Sequence, residues 1–250
     1  MTTPALEMAG LYKNFGALQV TRDVELRLER GARHALIGPN GAGKTTLVNL
    51  ITGALQPTSG VIRLGGVDIT HMGQAERSHR GLARTFQINQ LFSSLTVLEN
   101  ICLAIAERTG ASRSLWRPLG RRRDLIDEAR QQLSDLRLQD VALKRIDELA
   151  YGQQRLVEIA IALGQQPKVL VLDEPAAGVP GAESRLILER IKGLSDSIAV
   201  LMIEHDMDMV FRFAERITVL VDGGILVEGT PREIAADERV RAVYLGEAHD

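Results

Sequence analysis

Cysteines and long apolar stretches are scarce in this chain. Cys102 is the single cysteine among 250 residues, so an internal disulfide is impossible, which suits a reducing compartment. It stands in an apolar run, and we expect a small core residue there. No apolar run approaches the roughly 20 residues that span a bilayer. If the protein works at a membrane, another chain must supply the membrane part.

Excess charge of either sign is also missing. A net charge of -2 gives no overall attraction to nucleic acid or to an acidic membrane surface. The run Arg121-Arg122-Arg123 is a small patch, which we interpret as the solvated start of a helix. Residues 1–4 have neither a basic start nor an apolar segment, so we expect no secretory signal. The length allows one large domain, or a core with a smaller lobe.

The most informative stretch that is present is a glycine-rich loop between an apolar segment and a helical one. Residues 34–37 have the character of a short buried strand, and residues 46–51 that of a helix. Backbone N–H groups of such a loop, together with the helix N-terminus, attract a polyphosphate. Lys44 can reach its β- and γ-phosphates, and the Thr45 hydroxyl can hold Mg²⁺. The expected nucleotide-binding residues here are Gly38, Pro39, Asn40, Gly41, Ala42, Gly43, Lys44, Thr45 and Thr46.

A second apolar run ends in a pair of carboxylates. Residues 169–172 are all apolar and predict a buried strand, and Asp173 and Glu174 follow directly. Ligands of open α/β sheets bind at the carboxyl ends of the strands. Asp173 is therefore expected to bind Mg²⁺, usually through water, and Glu174 to orient and polarise the attacking water.

Strands and helices alternate after residue 169, which indicates a layered α/β core. We predict strands at 169–172, 198–203, 217–221 and 225–228, and helices at 182–194 and 207–214. Earlier segments at 5–12 and 20–28 have the apolar pattern of strands, and residues 61–64, followed by two glycines, that of a hairpin arm. Helical spacing at 97–108 and 124–136 predicts a helical insertion, with Thr96 and Glu99 as a capping box and residues 109–123 as an exposed connection. The predicted division is a nucleotide core of residues 1–89 and 150–250 with a helical subdomain at 90–149.

The order of these motifs resembles the ATP-binding cassette (ABC) ATPases. The segment Leu149-Ala150-Tyr151-Gly152-Gln153, which opens a helix predicted at 156–163, is similar to the family pattern Leu-Ser-Gly-Gly-Gln. The resemblance implies a P-loop NTPase (RecA-like) α/β core, an N-terminal antiparallel β subdomain and an inserted α-helical subdomain. It also implies that Tyr151, Gly152 and Gln153 contact the γ-phosphate of ATP held by a partner subunit.

Three more residues acquire roles only through this resemblance. Gln87 matches the glutamine that approaches Mg²⁺ and links the core to the helical subdomain. His205 matches the histidine that contacts the γ-phosphate and the water, and Phe15 matches the aromatic residue that stacks on adenine. The implied catalytic set is Lys44, Glu174 and His205, and the implied metal set is Thr45, Gln87 and Asp173. ATP and Mg²⁺ are the implied cofactors.

The chain departs from the family pattern at two positions. Ala150 replaces a serine and therefore lacks a hydroxyl for the phosphate. Pro180 stands where many members have an aspartate that couples the two active sites, and proline offers neither an acceptor side chain nor an N–H. Communication through that aspartate is therefore absent or reworked here.

Several stretches narrow the resemblance to the ATPase subunits of branched-chain amino acid importers. They include residues 81–87, 95–100, 151–155, 204–207 and 243–246. This branch implies a head-to-tail homo- or heterodimer at the cytoplasmic face of the inner membrane, two transmembrane permease subunits and, indirectly, a solute-binding protein, with no nucleic acid. Open alternatives are a lipopolysaccharide-type exporter ATPase, a soluble repair or translation ABC ATPase and a non-enzymatic cassette. The absence of a heptad array disfavours a repair protein.

Overall fold

Two β-sheets form the centre of the protein in a computed structural model, which describes residues 3–85, 91–111 and 122–246. The smaller sheet has four strands in the order β2-β1-β4-β5. Its strands pair antiparallel, as the predicted N-terminal β subdomain requires. Their bounds are β1 Leu6–Phe15, β2 Leu18–Leu28, β4 Ser59–Leu64 and β5 Val67–Asp68.

The larger sheet has six strands in the order β10-β9-β3-β8-β7-β6. The pairs from β9 to β6 are parallel, and only the edge strand β10 runs antiparallel to its neighbour. A parallel sheet with both faces covered predicts continuous apolar strands, and β3 and β8 are buried at every position. The bounds are β3 Arg33–Ile37, β6 Leu82–Arg84, β7 Val169–Asp173, β8 Ala199–Ile203, β9 Arg216–Val221 and β10 Gly224–Gly229.

Strand β7 shows why its residues are apolar without alternation. Leu170 and Leu172 join the hydrophobic cluster on one face of the sheet. Val169 and Val171 join the cluster on the other face, with β1, β2 and the first helix. Both faces of β7 are therefore covered, and its carboxyl end is the point where the chain reaches the surface with Asp173 and Glu174.

Nine α-helices lie within the described residues. Helices α3 and α4 pack against each other and against α5, as expected for a helical insertion. Thr96 caps α3 as predicted, since its hydroxyl accepts from the Glu99 amide and the Glu99 carboxylate accepts from the Thr96 amide. Part of the predicted connection, residues 112–121, lies outside the described residues. The bounds are α1 Lys44–Thr52, α2 Gln74–His79, α3 Val97–Arg108, α4 Arg123–Asp135, α5 Tyr151–Gly164, α6 Gly181–Lys192, α7 Met207–Phe213, α8 Pro231–Ala236 and α9 Glu238–Gly246.

No helix of the described ranges has the combination of length and apolar character that is needed to cross a membrane. Cys102 is buried on α3, and burial raises the pKa of its thiol to about 11. A protonated, enclosed thiol is unreactive, which agrees with the core role expected for this residue.

A buried arginine secures the carboxyl end of α1. Arg77 on α2 is fully buried and donates to the carbonyl oxygens of Leu50, Ile51, Thr70 and Met72. Two of these carbonyls belong to the last turn of α1, where helices have no intrahelical donors. Arg77 thereby fixes the helix whose other end carries the glycine-rich loop.

A buried histidine makes the stability of the fold depend on pH. His34 on β3 lies 2.8 Å from the Thr218 hydroxyl, and burial lowers its pKa from 6.5 to about 4. As the pH falls, the unfolded chain binds a proton at His34 before the folded chain does. The contribution of neutral His34 to the free energy of unfolding is therefore fully present above pH 6.5 and is lost as the pH drops toward 4. The loss amounts to about 3 kcal/mol.

The substitution His34→Gln is expected to flatten this dependence, because the amide can replace the ring as a partner of Thr218 without titrating. Urea unfolding between pH 7 and pH 4 measures it. The exposed His79, changed to Gln, is the matched control and should keep the slope of the parent. An unchanged slope in His34→Gln would assign the pH dependence to other groups.

Candidate active site

The glycine-rich loop joins β3 to α1 and is held by contacts with neighbouring strands. A side chain at Gly38 would collide with the carbonyl oxygen of Leu220 on β9. At Gly43 the backbone has φ +98°, and a Cβ atom would lie 2.8 Å from the carbonyl oxygen of Val20. Glycine is therefore required at both ends of the loop, while Asn40 and Gly41 between them are exposed.

The first turn of α1 is arranged as an anion site. Gly43 occupies the N-cap of α1 and has no side chain that could accept a hydrogen bond from the amides of the first turn. Such amides can instead bind an anion. Lys44 Nζ donates to the carbonyl oxygens of Gly38 and Pro39 at 2.6 and 2.9 Å, which holds its charge over the loop. Thr45 is exposed beside it. Amides, helix dipole and ammonium all favour a polyphosphate at this position.

Asp173 and Glu174 end β7 as predicted, but their surroundings differ. Asp173 Oδ2 accepts from Arg84 Nη2 at 2.5 Å, and the Asp173 amide donates to Thr85 Oγ1 at 3.4 Å. Glu174 takes a left-handed backbone conformation with φ +47°, and its amide donates to the Ile203 carbonyl at 2.9 Å. A non-glycine residue in that region costs about 1–2 kcal/mol, so the fold imposes this orientation of the Glu174 side chain.

Glu174 and His205 are brought together from two neighbouring strand ends. His205 Nδ1 lies 3.5 Å from Glu174 Oε1, and both side chains remain open to solvent. A solvent-open carboxylate placed in this way can accept a proton from water. Glu174, expected from the strand that ends in two carboxylates, and His205, implied only by the resemblance, therefore lie at one site.

A buried carboxylate supports this pair. Glu204 is 2% exposed and accepts from the His205 amide at 3.1 Å. Burial raises the pKa of Glu204, while backbone hydrogen bonds from His205, Asp206 and Ala176 oppose the shift. Because Ala176 follows Glu174 in the chain, Glu204 joins the loop of Glu174 to the loop of His205. The sequence analysis assigned no role to Glu204.

The tip of α5 offers a second set of helix amides. Ala150 is its N-cap and supplies no side-chain acceptor, while Gln153 Oε1 accepts from the Ala150 amide at 3.2 Å. The replacement of serine by alanine therefore leaves the amides of the first turn without a hydroxyl that would compete for them. Gly152 is buried against the Glu183 side chain of α6, and Tyr151 lies against Gly178. The neighbours of this tip are α6 and the loop that precedes it.

The remaining predicted residues lie in three different settings. Phe15, at the end of β1, is 47% exposed and has Lys13 Nζ 5.0 Å from its ring centroid, so it is not a core residue. Gln87 lies outside the described residues. Pro180 is the N-cap of α6, where Ser184 Oγ donates to the carbonyl oxygens of Val179 and Pro180.

The donor set around the loop suits a hard cation. No group of three or more His, Cys, Asp or Glu side chains gathers as a metal site within residues 3–85, 91–111 and 122–246. Oxygens at the loop and strand end include the Thr45 hydroxyl and the Asp173 carboxylate, of which Oδ2 accepts from Arg84. Magnesium is held in this manner, by one or two protein oxygens together with substrate phosphates.

Comparison with known proteins gives matches along the whole chain. The family described as ABC transporter matches residues 21–177, and the family described as branched-chain amino acid ATP-binding cassette transporter matches residues 225–250. The high-affinity branched-chain amino acid transport ATP-binding protein BraF of Pseudomonas aeruginosa is 38% identical over 99% of this chain and 100% of its own length. The corresponding LivG protein of Escherichia coli K12 has the same identity and coverage.

Solved structures agree with this similarity. The ADP conformation of an ATP-binding cassette of an ABC transporter superposes with a TM-score of 0.87 at 33% identity, covering 98% of this chain and 100% of the other. A nucleotide-free cassette from an ABC transporter gives a TM-score of 0.84 at 31% identity, covering 96% and 98%. The chain therefore belongs to the ATP-binding cassette transporter family, of which it is an ATP-binding and ATP-hydrolysing subunit.

Proposed function

We propose that this subunit drives the import of branched-chain or other hydrophobic amino acids, or of related small solutes. The observation that carries the proposal is the identity of 38% with BraF and LivG across their full length. The match of residues 225–250 to the family described as branched-chain amino acid ATP-binding cassette transporter also supports it. The solute would be selected by other subunits of the transporter.

The proposed nucleotide site uses the geometry of the loop and the two strand ends. Loop amides and Lys44 bind the phosphates, and the exposed ring of Phe15 offers a flat face for adenine. Thr45, Gln87 and Asp173 would hold Mg²⁺, which supplies charge neutralisation at the β- and γ-phosphates when bound. Glu174 orients the attacking water and accepts its proton, and His205 contacts the γ-phosphate.

The proposed working unit is a head-to-tail pair of ATPase subunits beneath two transmembrane permease subunits. Within the chain, Tyr151 at the α5 tip is 42% exposed and the N-cap Ala150 provides no side-chain cap to the first turn, which leaves the tip accessible to a second copy or a related subunit. A bacterial ABC transporter cassette at 25% identity is described as dimeric, with a TM-score of 0.75 over 91% of this chain. A peripheral position at the cytoplasmic face of the inner membrane follows from this assembly.

The transport proposal is tested by membrane association in the cell that makes the protein. We expect the chain to sediment with membranes at low salt and to co-purify, after detergent extraction, with integral membrane chains and a second cassette. High salt or alkali should release part of it, because charged contacts of a peripheral subunit are screened. Recovery entirely in the soluble fraction at low salt, without membrane chains, would contradict the proposal.

A further inference from the structure

Arg84 forms an ion pair with a carboxylate that the proposed function assigns to the metal. Arg84 ends β6, the edge strand paired with β7, and its Nη2 atom lies 2.5 Å from Asp173 Oδ2. Its Nη1 atom donates to Asn49 Oδ1 on α1 at 3.0 Å. The guanidinium thus connects the strand end that carries Asp173 with the helix that carries Thr45.

The setting of this ion pair separates it from ordinary surface pairs. The Arg84 and Asp173 side chains are 22% and 29% exposed, so both charges are largely withdrawn from water. Both guanidinium nitrogens that face the site have acceptors, which fixes the planar group in one orientation. Thr85, the next residue, accepts from the Asp173 amide and donates its own amide to the Val171 carbonyl. The strand therefore leaves Arg84 little freedom to move away.

We propose that Arg84 is a positioning residue that screens Asp173 from divalent cations until a nucleotide is bound. A fixed positive charge beside an oxygen site opposes the arrival of a second cation. The phosphates of ATP add several negative charges at the loop, so the metal enters together with the nucleotide and not before it. The inference rests on the proposed metal role of Asp173.

The test measures metal binding directly, without turnover. Electron paramagnetic resonance counts free Mn²⁺, a spin-active substitute for Mg²⁺, in titrations of the nucleotide-free protein. We expect Arg84→Gln to bind Mn²⁺ on the order of tenfold more tightly than the parent, because a charge-assisted contact with Asp173 no longer competes. With a non-hydrolysable ATP analogue present, the difference between the two proteins should shrink to about twofold.

The protein offers a matched control for the loss of one positive charge. Arg108 pairs with Glu128 at 2.6 Å, and these side chains are 21% and 29% exposed, close to the values of the Arg84 pair. Arg108→Gln should leave Mn²⁺ affinity within about twofold of the parent, since Arg108 pairs with Glu128 and not with Asp173. Should Arg84→Gln fail to fold, Arg84→Met keeps the apolar stem and is expected to show the same gain.

The outcomes separate this inference from the proposed function. Unchanged or weaker Mn²⁺ binding in a folded Arg84 variant, with Asp173→Asn still reducing binding in the presence of the ATP analogue, would overturn the screening role alone. Equal gains in the Arg84 and Arg108 variants would overturn it as well, since net charge would then explain the effect. If Asp173→Asn left metal binding unchanged with the analogue bound, the metal role of Asp173 would fail, and this inference with it.

Discussion

Glu174→Gln is expected to keep ATP binding and to lower ATP turnover by about 10²–10⁴-fold, the contribution of a well-placed general base. The amide has nearly the same size and can accept the left-handed backbone that the fold imposes at φ +47°. It can still contact the water, but it cannot take up the proton. His205, 3.5 Å away, keeps its place through the amide contact with Glu204.

The measurement pairs steady-state phosphate release with equilibrium binding of a fluorescent ATP analogue. The dissociation constant should stay within about threefold of the parent, because Lys44 and the loop amides that bind the phosphates are untouched. Glu189→Gln, an exposed carboxylate on α6, is the matched control and should keep normal turnover. Turnover at the parent rate in Glu174→Gln would refute the catalytic assignment.

Local sequence signals predicted the elements that carry the site. Residues 169–172 reveal a strand because burial on both faces leaves only apolar residues at the first four positions of β7. The helix at 97–108 was predicted to the residue, since Thr96 and Glu99 form a reciprocal cap that can be recognised within four residues. The same signal at Thr230 and Glu233, with Pro231 at the first helical position, would have identified α8, which the sequence analysis did not predict.

The helix around Gly152 was predicted less well. The sequence indicated a helix at 156–163 opened by the preceding segment, whereas α5 already begins at Tyr151. Ala150 supplies no capping side chain and Gly152 has a low intrinsic helix propensity, so the local signal is weak there. The start is stabilised by Gln153, which accepts from the Ala150 amide, and by the packing of Gly152 on α6.

Contacts between distant residues could not be predicted from local pattern. Arg84 and Asp173 are 89 positions apart, and their ion pair follows from the pairing of β6 with β7, which the sequence does not specify. An arginine on a short helix is expected at the surface, yet Arg77 is fully buried and donates to backbone carbonyls such as that of Ile51. The role of Glu204 could not be predicted either, because it depends on hydrogen bonds from two loops that meet at neighbouring strand ends.

A mixture of two inactive variants is expected to recover about one quarter of the parent ATPase activity, if each active site uses two copies of the chain. Lys44→Ala removes the charge that lies over the loop of its own copy. Gly152→Asp adds a negative charge at the α5 tip, beside the Glu183 carboxylate of the same chain, and both the added charge and the displaced Glu183 disfavour phosphates held by the partner. Each variant alone should lose nearly all activity, because every site of its homodimer contains one damaged half.

The mixed pair distinguishes a shared site from a site within one chain. When Lys44→Ala pairs with Gly152→Asp, one site receives both damaged halves, while the other combines an intact loop with an intact α5 tip. Half of the dimers in an equal mixture are of this kind, and each has one working site of two, which gives about one quarter. The assay is run at concentrations where the activity per chain of the parent rises with protein concentration, and thermal unfolding confirms that both variants are folded. A mixture no more active than its components would place loop and α5 tip in one chain, and the closed head-to-tail pair would lose its basis.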